Sequence, residues 1–358
     1  MTEVVDTPVE AAELEQPPLI VREPLERWLD EHGLGSGPIE AQRIGEGHSN
    51  VTYELRRGQQ RLVLRRPPRP PFAESAHDVL REARLLETLE PAAVRTPRVL
   101  AASDDEEILG VPFYVMEHLD GVVMTSDLPD SLDSTVEHAR IASELIDALV
   151  ELHAVDWREV GLEGFGKPSG YLERQLRRFG GLWEESKTRE VEDLDGVTAW
   201  LGSNIPESGE ATIVHGDYRL GNAMFDREAP ARLTAIFDWE LSTIGDPLAD
   251  VGYLTANYAT PDDDPEGPMF KLSAATAGEG FPSRDELMAL YEERSGRSVS
   301  DLRWYQALAL WKSAIFFEGS YRRFKSGTTD DPYFESLDEG MPELAAGALA
   351  VTRLPPPE

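Results

Sequence analysis

The stretch HGDYRLGN, residues 215–222, follows the apolar run Ala-Thr-Ile-Val and is followed by Ala-Met-Phe. His215, Asp217 and Asn222 thus stand directly after a segment that reads as a buried strand, where polar groups either do chemistry or close a turn. A carboxylate in such a place can accept a proton, and carboxylate and amide oxygens can hold a hard cation. A further acid, Asp238, ends the next strand-like run, RLTAIFD. The chain contains no cysteine, so disulfides, thiolate metal sites and cysteine nucleophiles are excluded, and the chemistry falls to oxygen and imidazole groups.

Earlier polar residues at strand and helix positions extend this set. In chain order they are a Gly-containing loop GEGHSN at 45–50, Arg65 after Leu-Val-Leu, Glu82 on a helical segment, His215-Gly216-Asp217, Asn222 and Asp238. That is the order of a protein-kinase-like phosphotransferase, and the step from Asp217 to Asn222 is that of its H-x-D-x-x-x-x-N loop. Taken singly, the pieces are weaker. GEGHSN lacks the full G-x-G-x-x-G pattern and by itself reads as a hairpin turn, and Asn222 by itself reads equally as a turn residue.

HGDYRLGN together with IFDWELSTIGDPLADVGYL resembles the aminoglycoside phosphotransferase and choline kinase family, in particular its branch related to acyl-CoA-dehydrogenase-associated phosphotransferases. The similarity covers roughly residues 35 to 345. The resemblance implies an α+β, bilobal protein-kinase-like fold with an antiparallel-sheet N-lobe and a mainly helical C-lobe, ATP as donor and Mg²⁺ as the metal. Phosphoryl transfer needs an alcohol whose proton is accepted, which makes Asp217 the catalytic candidate. Asn222 and Asp238 offer hard oxygens from neighbouring backbone segments, suited to Mg²⁺ bound together with phosphate oxygens. For the nucleotide the candidates are Gly45, Gly47, Ser49, Asn50, Arg65, Glu82, Glu117 and Leu119. The first four belong to the phosphate-covering loop. Arg65 stands where such kinases carry lysine, paired with Glu82. Glu117 and Leu119 lie in the hinge-like stretch FYVMEHL. His215 is expected to pin the loop backbone, and Asp250 to brace it from the following helix. Asp246-Pro247 has the signature of a helix N-cap. Glu240 is open between a site residue and a solvated acid, and Glu318 and Tyr321 are weaker candidates for the wall of an acceptor pocket.

The elements that must position these groups fall into two parts. Residues 1–20 hold five acids, no bases and a Pro-Pro pair, and are expected to be a disordered acidic tail. The N-lobe is expected over 21–119, with a short helix at 24–31, a three-strand meander through residue 66, a helix carrying Glu82 and two more strands separated by an acidic turn. The C-lobe is expected over 120–358, with long amphipathic helices, the strand before His215, and a hairpin made of NAMFD and RLTAIFDW.

The formal charge of −33 repels phosphate backbones and anionic membrane surfaces, so neither nucleic acid nor membrane is an expected partner. The expected partner is a small hydroxyl acceptor, with the acidic charge tilting slightly towards cationic ones. No apolar run of about 18 residues and no basic-then-apolar leader is present, and a cytoplasmic location is expected. One island of Arg56, Arg57, Arg61, Arg65, Arg66 and Arg69, with no acid between, reads as a charged hairpin edge, with Arg65 the exception. Two other readings remain at this point. One is a catalytically silent nucleotide-binding module of the same fold, suggested by Arg65 and the abbreviated loop. The other is a metal hydrolase using His215, Asp217 and Asp238.

Overall fold

A computed structural model describes residues 2–45, 50–69, 77–265, 267, 270, 273–327 and 332–355. The chain divides into two compact units, Met1–Asp120 and Gly121–Glu358.

The first unit contains β1 (Val4–Val5), α1 (Pro8–Ala12), β2 (Ile20–Val21), α2 (Arg22–Glu31), β3 (Glu40–Ile44), β4 (Val51–Arg57), β5 (Gln60–Arg66), α3 (Val79–Leu89), β6 (Val99–Ser103), α4 (Glu106–Leu109) and β7 (Phe113–Glu117). Strands β3 to β7 form one antiparallel sheet in the order β3-β4-β5-β7-β6. Alternation along β4 and β5 sends Tyr53, Leu55, Leu62 and Leu64 into a core shared with Leu25, Leu29 and Phe113. Asp78 caps α3 by accepting the Arg81 N–H at 3.0 Å, and one face of that helix is buried, Glu82 included. The acidic stretch between β6 and β7 is a single helical turn capped by Asp105.

Two expectations are corrected here. The acidic N-terminus is not a tail: β1 pairs in parallel with β2, and Leu19 and Ile20 enter the core. Its acids find bases far along the chain, Glu3 accepting from Arg43 at 2.9 Å and from the Tyr53 hydroxyl at 2.6 Å. Nor are β4 and β5 an edge, since both lie inside the sheet. Their arginines are met by groups distant in sequence. Arg57, 2% exposed, reaches Asp30 at 2.7 Å and the Gly37 carbonyl at 2.8 Å. Arg66 donates to the Leu19 carbonyl, and Arg69 to the carbonyls of Pro17 and Thr2. Buried cations persist only with such partners.

The second unit contains β8 (Val122–Val123), α5 (Thr135–His153), α6 (Tyr171–Ser186), α7 (Glu192–Ser203), β9 (Thr212–Val214), β10 (Ala223–Phe225), β11 (Leu233–Ile236), β12 (Thr243–Gly245), α8 (Leu248–Ala256), α9 (Arg284–Ser295), α10 (Leu302–Lys325) and α11 (Leu337–Val351). Its strands make two small antiparallel sheets, β11-β10-β8 and β12-β9. Helix α10 is its spine, packing against α6, α7, α8 and α11. The close approach to α8 is set by Gly252, where an added Cβ would lie 2.5 Å from the Tyr305 Cβ. Among the described residues no helix is long and apolar enough to cross a membrane.

Candidate active site

In the second unit the loop after β9 is held from behind. Strand β9 is buried throughout and pairs with β12, Val214 opposite Thr243. At its end the Asp250 carboxylate, on α8 and fully buried, accepts the N–H of His215 through Oδ2 and the N–H of Gly216 through Oδ1, both at 2.7 Å. His153, closing α5, sits with Nε2 3.3 Å from Asp250 Oδ2 and Nδ1 2.8 Å from the Tyr291 hydroxyl. Gly216 has φ +88°, and a Cβ there would lie 2.9 Å from the Leu241 carbonyl, so glycine is required twice over.

The His215 side chain is spent on the loop itself. Its Nε2 is 2.9 Å from the Phe237 carbonyl, and its Nδ1 accepts the Asp217 N–H at 3.2 Å. Both ring nitrogens are thereby used and the ring is fully buried, against Trp239 at 4.6 Å. This is a brace, and it removes the imidazole from the metal-hydrolase reading.

Asp217 points out of this frame with its side chain 19% exposed. Asn222 Nδ2 donates to Asp217 Oδ2 at 2.7 Å and to the Asp217 carbonyl at 2.8 Å. Arg219 Nε stands 3.8 Å from Oδ1. Because Asn222 Nδ2 is committed in this way, its Oδ1 is the atom left to accept. Asp238 is brought beside Asn222 by strand register: Ala223 faces Ile236, and the Phe237 N–H donates to the Asn222 carbonyl at 2.8 Å. Asp238 itself is left-handed, φ 66° and ψ 60°, a conformation that aspartate tolerates better than most residues and that concentrates at functional sites. Tyr253 on α8 faces these acids. Burial first, then the charge of Asp217, with that of Asp238 adding to it, push its phenol well above the ordinary range.

Among the described residues no cluster of three His, Cys, Asp or Glu side chains that could hold a metal ion occurs. The donor set here is one amide oxygen and one carboxylate. Two hard oxygens fit a cation such as Mg²⁺ that keeps waters and takes phosphate oxygens as further ligands, and do not fit a transition metal.

In the first unit Arg65 and Glu82 are together, Nε to Oε2 at 2.9 Å, with side chains 13% and 2% exposed. Arg65 is opposite Thr52 on β4 and Tyr114 on β7. Gly45 follows β3 with φ +76° and open space at its Cβ position, while Gly47 and Ser49 lie outside the described residues. Asn50 is buried, with Oδ1 3.2 Å from His77 Nδ1. Glu117 ends β7; its N–H donates to the Arg98 carbonyl and its carboxylate accepts the Arg98 N–H, each at 2.9 Å. Leu119 lies two residues past the strand, half-buried.

Several sequence readings change. Glu318 belongs to the core: fully buried, it accepts from the Thr188 N–H at 2.8 Å and from Arg189 at 3.1 Å. Tyr321 stacks under Arg189 at 4.8 Å. Asp246 accepts the Leu248 N–H at 3.1 Å and the Tyr305 hydroxyl at 2.8 Å, which ties α8 to α10. His153, Arg219 and Tyr253 went unremarked in the sequence. The signal for His153 was its place at the end of a helix whose apolar face is otherwise unbroken.

With this geometry in place the comparisons decide the family. The model of a phosphotransferase enzyme family matches residues 40–287. The chain belongs to that family. It is 32% identical over 334 residues to Acyl-CoA dehydrogenase family member 10 of Mus musculus, covering 91% of this chain and 31% of that protein. It is 31% identical to Acyl-CoA dehydrogenase family member 11 of Gallus gallus, covering 89% and 41%. The chain therefore spans a third to two-fifths of these curated relatives, and the branch expected from the motifs is the one found. Among solved structures, a protein of Ralstonia eutropha JMP134 named for the aminoglycoside phosphotransferases matches with a TM-score of 0.78 at 29% identity, over 92% of this chain and 98% of that one. The ethanolamine kinase of Plasmodium vivax, at 15% identity and a TM-score of 0.56 over 88% and 82%, shares the fold. The protein-kinase-like α+β fold is thus established.

Proposed function

We propose that this phosphotransferase family member moves the γ-phosphoryl group of ATP to a hydroxyl of a small molecule. The observation that carries the reading is the posture of Asp217: its N–H is held by the His215 ring, its Oδ2 by Asn222, and its loop by the buried Asp250 carboxylate. Such fixing sets the Asp217 carboxylate to take the proton of an acceptor hydroxyl as the oxygen attacks phosphorus and ADP departs. A rigid carboxylate spares the transition state the cost of ordering it. Asn222 and Asp238 would hold Mg²⁺, which when bound neutralises charge on the phosphate oxygens. In the first unit Arg65, oriented by Glu82, would clamp phosphates in place of lysine, with a permanent charge and a forked donor set. Since the Glu117 N–H is already engaged by Arg98, the hinge contact to adenine falls mainly to Leu119.

The test is ATP turnover with a library of alcohols, comparing the native chain with Asp217→Ala and Asp238→Ala. Acceptor-dependent ADP release that is lost in both variants supports the reading. Turnover and Mg-ATP binding unaltered in both variants would sink it, and Mg-ATP binding by the native chain without transfer to any acceptor would leave a silent nucleotide-binding module.

A further inference from the structure

In this acidic chain, with 67 Asp and Glu against 34 Lys and Arg, the buried arginines Arg57 and Arg66 have carboxylate or carbonyl partners. Lys312 of α10 is different. The residue is half-buried and its ammonium stands 4.8 Å from the centre of the Phe179 ring on α6, and among the described residues it makes no ion pair or hydrogen bond. Arg178, the neighbour of Phe179, is also without an acid partner among the described residues, its guanidinium 6.0 Å from the same ring. Burial first, and then the charge of Arg178, bring the Lys312 amine down to about 8, with the charges of Asp250 and Asp217 opposing the shift.

The second unit's packing explains this placement. Tyr305 ties α10 to Asp246 at the start of α8, and Lys312 is two helical turns further along the same face. Beside it, Tyr171 of α6 packs on Gly245 of β12, where a Cβ would meet its ring at 2.6 Å. Both helices thus pack by the end of β12, the strand paired with β9, after which Asp217 stands. One turn beyond Lys312, Phe316 is 43% exposed and meets Phe179 edge-on at 5.1 Å, which adds an apolar wall beside the cations. An ammonium with only a ring face for company gains most from an anion brought by a ligand.

We propose that Lys312, with Arg178 beside it, receives a negatively charged group of the acceptor, a carboxylate or a phosphate, so that the alcohol this protein phosphorylates is anionic. The proposal rests on the phosphotransferase reading of Asp217 and reverses the tilt towards cationic acceptors that net charge suggested. Net charge acts over distances at which salt screens it, on the order of 8 Å at physiological ionic strength, whereas a neighbouring ammonium acts at contact.

Matched acceptors test it: glycerol phosphate against glycerol, lactate against lactamide, and choline as the cation. The native chain is expected to favour the anionic member of a pair at least tenfold in kcat/KM. Lys312→Gln should lose that preference through a tenfold or greater rise in KM, with kcat within twofold, and Lys312→Arg should keep it. The glycerol phosphate and lactate pairs separate phosphate from carboxylate. Calorimetric titration of the same compounds gives a readout independent of transfer. Lys312-dependent binding of an anion without turnover upholds the anion site and fails the phosphotransferase reading. Turnover with neutral or cationic acceptors favoured, or a Lys312→Gln effect confined to kcat, overturns the proposal while leaving phosphotransfer standing. Absence of binding by both anions overturns it as well.

Discussion

The arginines of the first unit and the cations on α6 and α10 of the second unit are set in opposite circumstances. Arg56 and Arg61 share Glu54, Arg57 reaches Asp30, Arg65 holds Glu82, and Arg66 and Arg69 close on carbonyls of the N-terminal segment. Among the described residues Lys312 has a ring face only. The first arrangement satisfies its charges internally and so reads as structure. The second leaves a charge to be satisfied from outside and so reads as recognition. Within the second unit the same contrast recurs at short range, between Asp250, fully buried with its two oxygens filled by backbone N–H groups, and Asp217, whose side chain is 19% exposed.

The largest expected effects break that short-range contrast. Asp217→Asn should cut turnover by about 10²–10⁴-fold, the ordinary contribution of a general base, while thermal melts and Mg-ATP titration stay near the native values. Asp250→Ala should do the reverse of sparing the fold. It strands the N–H groups of His215 and Gly216 and the imidazole of His153, and denaturant titration should show a loss of about 3–5 kcal/mol. If the two variants behaved alike in melting, the division between a held acid and a working acid would fail.

Arg65→Met comes next. It removes the Arg65 guanidinium from the carboxylate of Glu82, 2% exposed, and should cost about 2–4 kcal/mol by denaturant melts along with a weakened Mg-ATP affinity. Arg65→Lys should recover most of the stability, and the affinity it recovers measures how far the forked guanidinium and the point-charge ammonium are interchangeable here. Full affinity in Arg65→Met would remove Arg65 from the nucleotide site.

These residues differ in how far they could be read from sequence. Asp217, Asn222 and Asp238 are separated by fixed, local steps along one strand-loop-hairpin, so spacing alone placed them on adjacent segments. The meander through β5 and the helix of Glu82 were legible for the same reason, as period-2 and period-3.6 patterns. The N-terminal segment was misread because composition counts acids but does not show that Glu3 meets Arg43 and Tyr53, some 40 and 50 residues on. The arginine island was misread as an edge because strand order, with β7 inserted beside β5, is a non-local property. Lys312 could not stand out at all, since what distinguishes it is the lack of an acid partner in space among the described residues.

That lack has a thermodynamic signature of its own. The Lys312 amine falls from 10.5 to about 8 in the folded chain, so below about pH 8 the native state carries an ammonium that it holds less well than the unfolded chain does. Between about 8 and 10.5 the unfolded chain binds more protons, and stability rises with pH. Lys312→Met should therefore raise stability at pH 7 by on the order of 1–2 kcal/mol, a figure reduced from the full shift because the residue is only half-buried, and the advantage should vanish by about pH 10.5. A variant less stable than the native chain at pH 7 would mean that Lys312 has an internal partner and belongs with the arginines of the first unit.

The smallest effect comes from Glu54, and it runs in the opposite direction on the pH axis. Hydrogen bonds from Arg56 and then Arg61 hold its carboxyl at about 2, below the ordinary 4.5. A carboxyl depressed in the folded chain adds stability that is fully present above about 4.5 and is lost as pH falls through about 2. Glu54→Gln should accordingly lower the melting midpoint slightly at pH 7, by a margin kept small because both arginines are solvent-exposed and screened, and the gap to the native chain should close in melts taken towards pH 2. The two variants together sharpen the comparison. A charge paired inside the fold makes the protein sensitive to acid, and a charge left for a ligand makes it gain stability in base. A gap for Glu54→Gln that widened towards acid would show that the β4–β5 arginines are held by something other than the carboxylates beside them.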